Sequence, residues 1–245
     1  MMVGRRRICW LIPLGLLFSM GRQSSSFGQE GRSAWKARVG EGIGWMRRMS
    51  EQQHVLTNQP VNCCFIGDSL TEYWPHSGNR SWDEMAKFKP ANLGVAGDRT
   101  EQVLYRISNL DFSRSKTEVV VLLVGTNNLA VTLPDDPRDV VKAIIQCVTR
   151  LCAKLPEAKV IVLGIPPNGL AGTELRKKIK ETNRLLADHR WDETVRFLPV
   201  YESFVGSDDE WLDGMTSDQT HFAAKGYDAL LSLVNPVLAE WMKRP

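Results

Sequence analysis

The stretch Val61-Asn62-Cys63-Cys64-Phe65-Ile66-Gly67-Asp68-Ser69-Leu70-Thr71 decides the fold. It begins as a short, mostly apolar run and then breaks into small and polar residues, the pattern of a buried strand that ends in a turn. Four further runs of the same kind lie at residues 91–95, 118–124, 159–165 and 195–201. Helical patterns occupy residues 100–110, 138–155, 174–189 and 223–242, and an earlier one covers residues 35–53, with Asn58-Gln59-Pro60 as punctuation before the first strand. The clearest of these helices carries Val140, Val141, Ile144, Ile145, Val148, Leu151, Cys152 and Leu155 on one stripe at helical spacing, so it must pack against something apolar. Near-continuous apolar strands alternating with amphipathic helices predict an α/β chain, a five-stranded parallel sheet covered on both faces as a three-layer α/β/α sandwich. Ligand sites in such sheets lie at the carboxyl ends of the strands.

Residues 1–29 differ from the rest. Arg5, Arg6 and Arg7 precede an apolar run over residues 8–20 and a polar stretch over residues 21–29, the order of a secretory signal peptide. The apolar run is too short for a hydrocarbon core that needs about 20 residues. Cleavage is expected near residues 28–29, leaving residues 30–245 as a single exported domain, periplasmic or secreted, without internal repeat or linker. Loss of this segment removes four arginines and no acid, which takes the formal charge from +3 to −1. The basic character thus belongs to the leader, and a near-neutral body makes no case for nucleic acid. Of five cysteines, Cys9 leaves with the leader. Cys63, Cys64, Cys147 and Cys152 remain where disulfides are permitted, on patterns equally suited to buried thiols. No cysteine or histidine spacing suggests a metal.

The chemistry follows the strands. The first strand ends in Gly67-Asp68-Ser69-Leu70, the second in Gly94-Val95-Ala96-Gly97-Asp98 and the third in Gly125-Thr126-Asn127-Asn128, all at one sheet edge, to which Asp218-Gln219-Thr220-His221 can return before the last helix. A serine hydroxyl needs a base, usually histidine oriented by a carboxylate, to become a nucleophile; Ser69, His221 and Asp218 suit those roles. A tetrahedral intermediate needs donors aimed at its oxyanion, and the N–H groups of Ser69 and Gly97 with the Asn127 amide would supply three. Glycine suits a backbone donor in an unusual conformation, and the spacing of Asp98 and Glu101 predicts a capping box that fixes it. Taken singly, each residue has a plainer reading: Asp68 or Ser69 as helix cap, Asn127 and Asn128 as turn formers, His221 as a surface side chain and Asp218 as a cap. His54 and His189 fall in helical stretches and His76 in a loop, without such company. Neither Gly-x-Ser-x-Gly, nor a Walker-type loop, nor Gly-x-Gly-x-x-Gly, nor His-Glu-x-x-His occurs.

At these four blocks the sequence resembles the SGNH (GDSL-type) hydrolases, over about residues 60–241. Ser69 matches the family's nucleophile, Gly97 and Asn127 its oxyanion glycine and asparagine, and Asp218 with His221 its Asp-x-x-His block. The resemblance implies a flavodoxin-like sheet order and no required cofactor. Among branches it is most similar to the catalytic subunits of brain-type platelet-activating-factor acetylhydrolase, in Phe65-Ile66-Gly67-Asp68-Ser69, in Gly97-Asp98 followed by Thr100, in Gly125-Thr126-Asn127-Asn128 and in a Trp45-Met46 helix before the first strand. Most of the wider family has Asp where Asn128 stands. Together these readings predict a serine esterase acting on small, acetyl esters through an acyl-enzyme. The expected partner is a small-molecule, carbohydrate or lipid ester. Two alternatives are a lysophospholipase or similar phospholipid acylhydrolase, and a non-catalytic exported carbohydrate-binding module. Trp74, Trp82 and Trp211, read as loop residues, offer rings on which a sugar can stack, although packing is the commoner use of tryptophan.

Overall fold

The computed structural model describes residues 33–243. The expected leader therefore lies outside the described residues. In chain order the elements are α1 (Gly42–Asn58), β1 (Cys63–Gly67), α2 (Ser69–Glu72), α3 (Trp74–Ser77), α4 (Asn79–Glu84), β2 (Pro90–Gly94), α5 (Thr100–Asn109), β3 (Val119–Leu123), α6 (Thr126–Leu129), α7 (Pro137–Lys154), β4 (Lys159–Leu163), α8 (Glu174–Asp188), β5 (Val195–Leu198) and α9 (Ala224–Met242). The five strands form one parallel sheet in the order β2-β1-β3-β4-β5, which is the flavodoxin-like order.

The strands alternate their side chains between two cores. Cys64, Ile66, Val120, Leu122, Val160 and Val162 meet α1, α5, α7 and α8 on one face. Cys63, Phe65, Val119, Val121, Leu123 and Ile161 meet α3 and α9 on the other. A strand buried on both sides must be apolar on both, which is why these runs lack polar alternation. Parallel pairing aligns Gly67 of β1 with Gly94 of β2 and with Leu123 of β3, so the segments that follow all emerge at one edge. The chain direction reverses its sense of winding between β1 and β3, and that switch point is where a crevice opens.

The sequence-based boundaries shift in places. The first helix starts at Gly42 rather than residue 35 and runs on to Asn58, ending just ahead of Pro60. Glycine at residue 40 packs against the Trp45 indole, where a Cβ would lie 2.2 Å from Nε1, and Gly42 adopts φ +87°; residues 37–41 belong to no regular element, so the helix begins only at Gly42. His76 lies in the short helix α3, not in a loop. Trp74 and Trp82 likewise belong to α3 and α4, where they pack on Phe65 at 5.4 and 5.2 Å between centroids, and Trp74 is fully buried. Trp211 packs against Phe204 and Phe222. Trp74 is therefore committed to the core and closed to a sugar, while Trp82 and Trp211 are partly buried, packed against the core with part of each side chain at the surface. Cys64 and Cys147 are buried thiols, the first 3.3 Å from the Thr117 hydroxyl and the second 3.8 Å from the Thr100 carbonyl; burial pushes both up to about 12. No helix among the described residues is long and apolar enough to cross a membrane.

Candidate active site

Each piece of the site is an end of the sheet turned into a short helix or a tight turn. β1 ends at Gly67, where a Cβ would lie 2.2 Å from the Leu123 carbonyl and 2.3 Å from the Thr71 hydroxyl; only glycine lets the chain turn this closely beside β3. Asp68 then caps α2, its Oδ1 accepting from the Leu70 N–H at 3.0 Å. The plain reading of Asp68 as a cap is thus correct. Ser69 is the first residue of α2 and is 6% exposed.

The histidine arrives from the long segment between β5 and α9, on the same face of the sheet as Leu70 of α2. Residues 216–222 form a tight turn in which the Asp218 Oδ1 accepts the backbone N–H groups of Thr220 and His221, at 2.9 and 2.7 Å. This leaves Oδ2 facing the ring: His221 Nδ1 lies 2.7 Å from it, and His221 Nε2 lies 3.0 Å from the Ser69 Oγ. One neutral tautomer satisfies both contacts, with Nδ1–H donating to Asp218 and Nε2 accepting from the serine hydroxyl. Desolvation raises the Asp218 carboxyl, but the His221 ring and the two N–H groups outweigh it and hold the group below the usual carboxylate range. Next door, Phe222 is buried and stacked on Phe204 with 4.6 Å between centroids, which anchors the turn. Tyr227 of α9 donates to the Leu70 carbonyl at 3.0 Å, tying that helix to α2.

β2 leads into a turn closed by the Asp98 N–H on the Val95 carbonyl at 3.1 Å. Gly97 occupies its third position with φ +79° and is exposed, with no atom within 4 Å of a Cβ placed there. The glycine is required by conformation alone, as in a type II turn. The expected capping box is displaced by one residue: Arg99 is the N-cap of α5, and its N–H donates to the Gln102 side chain at 3.1 Å. Asp98 points inward instead, onto Arg106 and Trp45.

β3 leads into α6, where Asn127 is half-buried and its Nδ2 donates to the Asp98 carbonyl at 2.8 Å. This brings Asn127 to the Gly97 turn and uses only one of its two amide hydrogens. Asn128 is fully buried. It accepts from the Thr100 N–H at 2.9 Å and donates toward the Thr100 hydroxyl, Glu101 and Asp135 at 3.0, 3.2 and 2.8 Å. A carboxylate there would face two acids, so an amide fits where most of the wider family has Asp.

The structure thus brings Ser69, His221 and Asp218 into one hydrogen-bonded chain and joins Gly97 to Asn127 through Asp98. It also adds a residue the sequence reading passed over. Buried Asn168, in the segment after β4, donates to the Thr126 hydroxyl and accepts from the Thr220 hydroxyl, each at 2.9 Å, while the Gly169 N–H binds the Gln219 carbonyl at 2.8 Å. These bonds bridge the Asn127 and His221 segments. Position alone could have flagged it, since Pro166-Pro167-Asn168-Gly169 follows the fourth strand at the same edge. A cleft of about 590 Å³ lined by Trp45, Arg48, Glu72, His76 and Ala96 lies on the other flank of the Gly97 turn, and Ser69 is not in its wall. Among the described residues no cluster of His, Cys, Asp or Glu has the arrangement of a metal site.

The flavodoxin-like sheet thus carries a hydrogen-bonded serine, histidine and aspartate at its carboxyl edge. The chain belongs to the GDSL-like lipase/acylhydrolase family, whose model matches residues 65–229, and it is a carboxylic ester hydrolase. Among relatives, it is 34% identical over 184 residues to platelet-activating factor acetylhydrolase IB subunit alpha1 of Rattus norvegicus, covering 72% of this chain and 76% of that one. It is 35% identical over 203 residues to the alpha2 subunit of Bos taurus, covering 81% and 85%. Among solved structures, a GDSL-like lipase from Bacteroides thetaiotaomicron superposes with a TM-score of 0.67 at 20% identity, covering 80% of this chain and 97% of that one. An acetyl xylan esterase superposes with a TM-score of 0.59 at 17% identity, covering 72% and 99%.

Proposed function

We propose that this enzyme hydrolyses small carboxylic esters, acetyl esters foremost, through an acyl-enzyme on Ser69. The observation that carries the reading is the pair of contacts on one imidazole, 3.0 Å to Ser69 Oγ and 2.7 Å to Asp218 Oδ2. His221 takes the serine proton as Oγ attacks the ester carbonyl. Asp218 holds the ring and stabilises the imidazolium that forms. The oxyanion is received by the N–H groups of Ser69 and Gly97 and by the second amide hydrogen of Asn127. His221 then returns its proton to the leaving alcohol, and on the second half-reaction it activates water against the acyl-enzyme.

The acetyl preference draws support from the names of the relatives at 34–35% identity, which are acetylhydrolases. The same names favour, as a second reading for the alcohol half, a phospholipid acetyl ester over an acetylated carbohydrate. Acetate release from an acetylated glycerophospholipid, acetylated xylan and p-nitrophenyl acetate, each with purified enzyme and its Ser69→Ala variant, tests both levels. Turnover that survives in Ser69→Ala sinks the acyl-enzyme; turnover of xylan alone among the natural esters sinks the lipid reading. A binding module without catalysis would turn over none of them.

A further inference from the structure

Beneath the oxyanion turn lies a polar cluster that the reaction scheme leaves unused. Arg106 of α5 is completely buried, and its guanidinium makes four contacts: Nε to Asp98 Oδ2 at 2.7 Å, Nη1 to the Leu93 carbonyl at 2.6 Å and to Gln52 Oε1 at 3.2 Å, and Nη2 to the Gly67 carbonyl at 2.8 Å. Gly67 stands two residues before Ser69, and Leu93 stands near the end of the strand that leads to Gly97. One planar fork therefore joins the end of β1 to the end of β2. Asp98, 2% exposed, takes a second charge-assisted bond from the Trp45 indole N–H at 2.8 Å, while its own carbonyl accepts the Asn127 amide. Gly97 is its immediate neighbour in the chain.

Burying an ion pair is poor value for stability, because desolvation of both charges offsets most of their attraction; its benefit is a fixed geometry. Here that geometry falls on two groups that are otherwise lightly held. Gly97 is exposed, with open space where a side chain would sit, and Asn127 sits on a four-residue helix. We propose that Asp98, clamped by Arg106 and Trp45, is a positioning residue that aims both the Gly97 amide and the Asn127 side chain at the oxyanion. Its backbone carries the glycine donor, its carbonyl takes one Asn127 hydrogen so that the other points at substrate, and its carboxylate keeps the whole turn from rotating. The inference rests on the proposed esterase mechanism.

The test uses the whole enzyme with p-nitrophenyl acetate, and kcat is expressed per active site titrated by a fluorophosphonate probe, so that loss of folded enzyme does not count. Asp98→Asn keeps the size of the side chain but turns an amide toward one of its two donors. Trp45→Phe keeps the ring and removes only the N–H, so it serves if Asp98→Asn does not fold. The expected result is a fall in kcat per site of about 10- to 100-fold for Asp98→Asn and about 3- to 10-fold for Trp45→Phe, with KM within about threefold. In an Asn127→Ala background the same substitutions should cost only a few-fold, because part of what they misplace is gone. A kcat per site within about twofold of the parent in both variants, or losses that multiply undiminished in the Asn127→Ala background, overturns the positioning role. Wild-type enzyme that takes up no probe overturns the esterase mechanism itself, and this role with it.

Discussion

Asp68 stands directly before the serine, and its carboxyl is fully buried. Its Oδ1 caps α2, and its Oδ2 has no hydrogen-bond partner among the described residues. Desolvation dominates its titration and pushes it from 3.8 to about 7, with the Asp98 charge adding to the rise and the Leu70 N–H and Arg106 opposing it. At about 1.4 kcal/mol for each tenfold change in proton affinity, that rise corresponds to roughly 4 kcal/mol. Because the folded chain holds this proton while the unfolded chain releases it, Asp68 makes stability fall as pH rises from about 4 to 7, and the loss is complete above pH 7. Asp68→Asn keeps the capping oxygen and cannot ionise. Urea unfolding of both proteins at intervals from pH 4 to 8 should therefore show the variant gaining on the wild type by a few kcal/mol across that window, whatever their offset at pH 4. A difference that stays flat with pH, or a variant that loses ground as pH rises, would mean that Asp68 is ionised in the fold and that the Leu70 N–H and the nearby Arg106 charge outweigh burial.

Two further outcomes follow from the donors around the site. Asn127→Ala should lower kcat for p-nitrophenyl acetate by roughly 10² to 10³ if its amide meets the oxyanion, whereas a change confined to KM would show that it only seats the substrate. Asn128→Asp places a buried carboxylate against Glu101 and Asp135 and removes two donated hydrogens, so it should destabilise the fold by about 3 kcal/mol at neutral pH. Denaturant midpoints that match those of the wild type would refute the account of why an amide stands there.

Much of this was legible in the sequence, for definite reasons. A parallel strand covered on both faces has to be apolar on both, so 61–66, 118–124 and 159–165 announced themselves, and the one-stripe spacing from Val140 to Leu155 could only be a helix against that sheet. Ser69, Gly97 and Asn127 could be brought to one edge because parallel strands all end on the same side, and His221 because the start of the last helix can return there. What stayed hidden depends on which way a side chain turns. The spacing that suggested an Asp98 cap holds equally for Arg99 one residue on, and nothing local says that Asp98 turns inward to a guanidinium eight residues away. Arg106 itself reads as a surface residue on an amphipathic helix until its four acceptors are seen. Trp74 and Trp82 looked like loop residues because the helices that carry them are four and six residues long, too short for periodicity to register. Asn168 gave only its position, since its two hydroxyl partners lie 42 and 52 residues away in the chain.

The central claim is that Ser69 is a nucleophile primed by His221 and Asp218, and intact-mass measurement after a fluorophosphonate reaction tests it most directly. The account predicts one adduct per chain, mapped to the peptide containing Ser69, with labelling abolished in Ser69→Ala and slowed by orders of magnitude in His221→Ala. An adduct on another residue, or labelling of Ser69 at the same rate without His221, would contradict it.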